Sequence, residues 1–281
     1  MAILLSGTPV ANKIKSEVKS YIQNNNKHLS LTIFQVGDNP ASNTYIRNKV
    51  KACEEVGIHS TVLKFDNPDE YDRCFDIPDS LRYVTGTAAM LQLPLPKGWD
   101  ESYFVNLIPS SQDADCLTDV NIGKFHSAKT PKISPCTAKG IIDILKYYDI
   151  EISGKHAVVV GRSNIVGKPV AHLLSCEDAT VTLCHSKTSN LSEFTKTADI
   201  LVVAIGKPNF ITADMVKPGA VVIDVGINRT SDGKLCGDVD FENVKGIASA
   251  ITPVPGGVGP VTVANLLSNT LKLYDLNHKG E

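Results

Sequence analysis

The stretch Ala157-Val158-Val159-Val160-Gly161-Arg162-Ser163-Asn164-Ile165-Val166-Gly167 constrains the fold of this chain most. A short β-branched run stops at one glycine, and a helical pattern starts at the next, running through Leu174. Further strands are expected at 180–183, 200–204 and 220–225. Strands alternating with helices bury both faces of a parallel sheet, so the reading is α/β with a βαβ series of the nucleotide-binding, doubly wound type.

The first 120 residues alternate in a similar way. Strands are expected at 31–36, roughly 60–65 and 88–93. A helix between the first two starts near Pro40, since proline is tolerated in a first turn, and ends near Val56-Gly57, where glycine is a natural stop. Segment 67–83 resists reading, because Pro68 and Pro78 break any long helix. A second unit is expected from about residue 120, with a helix over 137–148 leading into a strand at 157–160. The last helix, about 261–274, follows a Gly/Pro loop and is expected to pack back on the first unit. The expected domains are thus 1–120 plus 261–281, with 121–260 inserted between them.

Composition narrows the functional classes. With 42% hydrophobic and 21% charged residues the chain reads as an ordinary globular protein. A net charge of −2 argues against nucleic acid as a partner, which needs a clustered positive surface. No apolar run is long enough to span a membrane, and the apolar opening is too short for a signal-peptide core, so a cytoplasmic location is expected. The seven cysteines are scattered and form no CxxC, which points to reduced thiols and to no metal site.

In the 157–167 stretch, Gly161 permits a tight turn and Gly167 a close helix–strand contact. The helix N-terminus is then expected to face an anion with free N–H groups. Ser163 stands where a middle glycine is usual, and Gly167 falls one place late, so the loop reads either as an anion cradle or as a plain strand-to-helix turn. The strand over 180–183 runs into Cys184-His185-Ser186-Lys187-Thr188, with no carboxylate for a ribose 2′-OH. Arg162, Ser186, His185 and Lys187 suit a 2′-phosphate instead, which favours NADP over NAD; His185 reads equally as a solvated loop residue.

Tyr45 and Lys49 lie one helical turn apart, and Gln92 ends an apolar run stopped by Pro94 and Pro96. If these meet, a planar substrate can stack on Tyr45 while Lys49 acts on it, tuned by Gln92. Taken singly, Tyr45 reads equally as a core or interface aromatic, whereas Lys49 taken singly reads as a solvated surface charge, a reading that its match with Tyr45 and Gln92 reverses; Lys51 is read as surface. The loop Thr252-Pro253-Val254-Pro255-Gly256-Gly257-Val258-Gly259-Pro260-Val261-Thr262 suits close approach of a ligand, or a rigid linker, with Thr262 near a helix cap.

Seven stretches, in order, resemble the bifunctional methylenetetrahydrofolate dehydrogenase/cyclohydrolase family. They are Ser42-Asn43-Thr44-Tyr45 with Lys49, Gln92-Leu93-Pro94-Leu95-Pro96, Asp113-Ala114-Asp115, Pro135-Cys136-Thr137, Gly161-Arg162-Ser163 with Ile165-Val166-Gly167, Ala179-Thr180-Val181-Thr182 with His185-Ser186, and the 253–260 loop. The resemblance implies an N-terminal α/β folate-binding domain completed by the C-terminal helix, an inserted Rossmann-type NADP domain, and a homodimer. It implies oxidation of 5,10-methylenetetrahydrofolate by NADP, followed by hydrolysis of the methenyl product to 10-formyltetrahydrofolate.

The resemblance also assigns residues. Lys49, Tyr45 and Gln92 are implied as catalytic, and Tyr45, Asp115, Pro255 and Gly259 as substrate-binding. Gly161, Arg162, Ser163, Ile165, Gly167, His185, Ser186, Thr137 and Ile227 are implied at the cofactor. Cys136 is read as packing, since no step needs a thiolate. Three places depart from the family pattern: Gln112 stands where a lysine is usual, Cys116 where a glycine is free to take positive φ, and Ala88 and Ala89 in the area where a glycine usually precedes the Gln-Leu-Pro strand. A dehydrogenase without the hydrolase, or a non-catalytic NADP- or folate-binding module, remain competing readings; intact Lys49, Tyr45 and Gln92 speak for both activities.

Overall fold

The opening residues Ala2-Ile3-Leu4-Leu5 carry no readable period, yet they form the first strand, β1 (Ile3–Leu4), ahead of a helix over Gly7–Asn24. The computed structural model describes residues 2–73, 86–128, 130–230 and 233–278. The chain forms two compact units: Lys13–Ser134 with Val263–Glu281, and Met1–Asn12 with Pro135–Thr262. The boundaries read from sequence were 120/121 and 260/261. The divisions differ at 1–12, 121–134 and 261–262; β1 pairs with a strand near residue 250, and the final helix is bonded to the backbone at Ser134.

In the unit that contains residues 13–134, β2 (Leu29–Val36) lies between β3 (Ile58–Phe65) and β4 (Ala88–Gln92), all parallel. The helix Pro40–Val56 joins β2 to β3, with proline in its first turn and Gly57 just past its end. Nearly all of β2 is buried, because helical segments need both faces of a parallel sheet. Phe34, Ala89, Leu91 and Phe104 share one core cluster. Of the segment 67–83, a short helix occupies Pro68–Arg73, and 74–83 lie outside the described residues.

The other unit holds a six-stranded, wholly parallel sheet. Its later strands are β5 (His156–Val160), β6 (Thr180–Cys184), β7 (Ile200–Val203) and β8 (Val221–Asp224). After a two-stranded ribbon, β9 (Asn228–Arg229) with β10 (Leu235–Cys236), comes β11 (Ala250–Ile251). The sheet order is β1-β11-β8-β7-β5-β6, with Ile3 opposite Ala250. Val158, Leu201, Val203 and Val222 are fully buried, each side chain contributing roughly 1.5–3 kcal/mol. The strands match the sequence reading to within two residues. The two-residue β1, β9, β10 and β11 escaped it, being too short to show a period.

The final helix runs Val258–Asn277, three residues earlier than expected. Pro260 falls in its first turn, where it costs no hydrogen bond. Thr262 is therefore inside the helix rather than near its cap, with Oγ1 3.2 Å from the Val258 carbonyl oxygen. Among the described residues, no helix is long and apolar enough to cross a membrane.

Candidate active site

The helix Pro40–Val56 buries Ser42, Ile46, Lys49, Ala52, Cys53 and Val56, a stripe of helical spacing. Lys49 thus occupies a core position, only 8% exposed. Its Nζ donates to Gln92 Oε1 at 2.8 Å and lies 3.3 Å from Met90 Sδ. Gln92 is itself buried, and its Nε2 donates to the Leu93 carbonyl at 2.7 Å. That second bond fixes which end of the amide faces the lysine. Tyr45, one turn before Lys49, is half-buried, and Lys51 is exposed.

Sequence reasoning missed Met90 and Cys53. Met90 precedes Gln92 by two residues and so shares its face of β4; Cys53 follows Lys49 by one helical turn. Either spacing is a usable signal. Burial pushes the Cys53 thiol up to about 12, with the Lys49 charge pulling the other way.

Asp115 sits on a loop pinned beside β4, where Ala89 donates to the Gln112 carbonyl at 2.7 Å and Ala114 donates to the Ala89 carbonyl at 3.0 Å. Asp113, fully buried, holds the next turn: its Oδ2 accepts from Thr118 N at 2.9 Å, Thr118 Oγ1 at 2.8 Å and Asn121 Nδ2 at 3.0 Å. From the final helix, Asn269 Nδ2 donates to the carbonyls of Ala114 and Ser134, both at 2.9 Å. Cys116 keeps the left-handed backbone expected there of glycine, with φ 59°, and its buried thiol is pushed well above its ordinary range. Gln112, where a lysine is usual, donates instead to the Gly86 carbonyl at 2.9 Å.

The nucleotide loop belongs to the other unit, as do Thr137, Pro255 and Gly259. Gly161 has φ 123°, and a Cβ there would lie 2.2 Å from the Ala204 carbonyl oxygen. A Cβ on Gly167 would lie 2.0 Å from the Gly161 carbonyl oxygen, so strand end and helix start are in backbone contact. Arg162, Ser163 and Ile165 are exposed beyond the end of β5. His185 and Ser186 follow the end of the adjacent β6, where Val160 pairs with Cys184. The expectation of free N–H groups at the start of the helix Gly167–Cys176 needs correction. Ser163 Oγ accepts from Val166 N at 3.2 Å and Gly167 N at 3.4 Å, and Ser163 O accepts from Lys168 N. A serine where glycine is usual supplies its own cap.

His185 closes a turn, its Nδ1 accepting from Lys187 N at 3.2 Å while Thr188 Oγ1 accepts from His185 N at 2.8 Å. Thr137 lies in the first turn of the helix Cys136–Tyr147, its Oγ1 3.3 Å from Thr262 Oγ1. Ile227 is 45% exposed, just past the end of β8. β5 and β7 adjoin where the strand order reverses, the position at which such sheets bind nucleotides.

Two family models match. Residues 5–115 match the catalytic domain of tetrahydrofolate dehydrogenase/cyclohydrolase, and residues 135–278 its NAD(P)-binding domain. The bifunctional protein FolD of Campylobacter hominis is 51% identical over 273 residues, covering 96% of each chain. The crystal structure of the bifunctional methylenetetrahydrofolate dehydrogenase/cyclohydrolase of Campylobacter jejuni superposes with TM-score 0.90 at 42% identity, covering 99% of this chain and 100% of that one. The Trypanosoma brucei enzyme, complexed with NADP cofactor and inhibitor, gives TM-score 0.92 at 35% identity over 99% of each.

Proposed function

Because the chain belongs to the tetrahydrofolate dehydrogenase/cyclohydrolase family, we propose that it oxidises 5,10-methylenetetrahydrofolate with NADP and hydrolyses the methenyl product to 10-formyltetrahydrofolate. The observation that carries this reading is the buried Lys49–Gln92 pair at 2.8 Å. A lysine held in a helix core by an amide oxygen and a thioether has little structural use, and much use as an amine that can lose its proton.

The residues fit NADP. Gly161 and Gly167 form a cradle too tight for any side chain, and the turn after β6 offers Ser186 and Lys187 rather than a carboxylate. When bound, NADP supplies the acceptor for the hydride leaving the methylene carbon. Arg162 and Ser186 take the 2′-phosphate; Gly161, Ser163, Ile165, Gly167, His185, Thr137 and Ile227 line the rest of the cofactor.

On the folate side Tyr45 stacks on the pteridine, and Asp115 accepts two parallel hydrogen bonds from its aminopyrimidine edge. The family resemblance assigns backbone roles in substrate binding to Pro255 and Gly259. In the hydrolysis, water adds to the cationic methenyl carbon while Lys49 takes a proton from it. Lys49 returns a proton to the ring nitrogen as the C–N bond breaks, and the remaining hydroxyl proton leaves as the formyl group forms. Gln92 holds the amine in place without the charge that would keep it protonated.

Family membership supports a homodimer, and composition supports a cytoplasmic location with no nucleic-acid or membrane partner. The test is an absorbance assay with methylenetetrahydrofolate, comparing NADP with NAD, alongside methenyl hydrolysis by wild type and Lys49→Ala. NADP should be reduced, and the variant should lose hydrolysis by on the order of 10²–10⁴-fold. Unimpaired hydrolysis by the variant removes Lys49 from the reaction.

A further inference from the structure

Two buried carboxylates that no step above uses lie against each other in the sheet unit. Asp224 ends β8, and Asp238 follows β10; they are 3% and 0% exposed. Asp224 Oδ1 accepts from Gly226 N and Asp238 N, and its Oδ2 accepts from Val239 N, all at 2.9 Å. Asp238 Oδ2 accepts from Ile205 N at 2.7 Å and Gly206 N at 3.0 Å; its Oδ1 accepts from Lys207 N and Asn228 Nδ2, both at 2.8 Å. Every carboxylate oxygen is engaged, which is what makes two neighbouring buried anions tolerable.

The flanking sequence makes room for them. A Cβ on Gly226 would lie 2.3 Å from Asp238 Oδ1, and one on Gly237 would lie 1.8 Å from Asp224 Oδ2. Both carboxylates therefore rest directly on backbone.

Of the segments they hold, 205–207 follows β7 and borders the strand reversal, and 226–228 follows the neighbouring β8. Residues 205–207 follow Ala204, whose carbonyl oxygen packs against Gly161. Ile227 stands between Gly226, bonded to Asp224, and Asn228, bonded to Asp238, so the residues on both sides of it are tethered while its own side chain is exposed.

We propose that Asp238, braced by Asp224, is the positioning residue of the nucleotide site: it fixes the 205–207 loop and the 226–228 segment in the shape that receives NADP. This rests on reading the sheet unit as NADP-binding. The bifunctional reaction provides an internal control, since methenyl hydrolysis needs no NADP and is assigned to Lys49.

The test is NADP titration and steady-state kinetics on full-length protein carrying Asp238→Asn, which turns an amide N–H against the loop's own N–H donors. NADP binding should weaken roughly 10-fold or more, the scale of one lost charge-assisted bond. KM for NADP should rise with kcat little changed, methenyl hydrolysis should stay within about twofold, and the amides of 205–207 should exchange faster. If Asp238→Asn fails to fold, Asn228→Ala decides, since it removes one donor and buries no new group; its KM for NADP should rise about threefold. Wild-type NADP affinity in folded Asp238→Asn, or in Asn228→Ala should that variant be the one that decides, overturns the inference. Wild-type protein that binds no NADP overturns the functional reading instead.

Discussion

Lys49 and Gln92 come from a helix and a strand 43 residues apart in the chain, and their side chains meet at 2.8 Å in a buried site. The neutrality of the amide is the chemically decisive part. An amide oxygen orients an ammonium without fixing its charge, whereas a carboxylate at the same distance would do both.

Gln92→Glu should therefore be worse than its small change in shape suggests. The new carboxylate would stabilise the protonated amine, and methenyl hydrolysis at neutral pH should fall by on the order of tenfold or more, with its pH optimum moved upward. NADP reduction should fall less. A pH–rate profile of the hydrolysis checks this; an unshifted profile would show that Gln92 does not tune Lys49.

Gly161→Ala should damage the sheet unit. Its φ of 123° suits only glycine, and the added methyl would meet the Ala204 carbonyl oxygen at 2.2 Å. A loss of more than about 2 kcal/mol of stability is expected, together with loss of NADP binding. Denaturant unfolding and NADP titration measure the two effects.

At Cys116 the usual ranking of alanine over glycine should reverse. An L-residue at φ 59° costs roughly 1–2 kcal/mol that glycine avoids. Cys116→Gly should thus be at least as stable as Cys116→Ala, although glycine is ordinarily about 0.5–1 kcal/mol worse. Thermal unfolding of both variants settles the order.

Burial, reinforced by the neighbouring Asp238 charge, pushes the Asp224 carboxyl up to about 6 against three backbone donors. A raised native value means that the folded state binds this proton more tightly than the unfolded chain. Stability from this group is then greatest below about pH 4, falls as pH rises toward 6, and is level above, a swing of about 3 kcal/mol. Half-buried Asp199, held low by its Lys217 partner and the His156 N–H, has the opposite sign and loses its contribution in acid. Carbon-13 NMR of the Asp224 carboxyl should give a midpoint near 6; a midpoint near 4 would refute the shift.

By itself the sequence determined what is local. The β-branched runs of β5 to β8, the proline start and glycine stop of the Pro40–Val56 helix, and the tight glycines at 161 and 167 were all legible, because period and backbone freedom act over a few residues. The resemblance located Lys49 and Gln92, but neither periodicity nor spacing could say that they bond. Only the tertiary structure decided the pairing of β1 with β11, the burial of Asp113 under Thr118 and Asn121, and the Asp224–Asp238 pair. Each joins segments through backbone or polar groups whose partners are set by three-dimensional proximity. A buried carboxylate and a solvated one have the same letter in the chain, and only the N–H groups brought to it by the fold tell them apart.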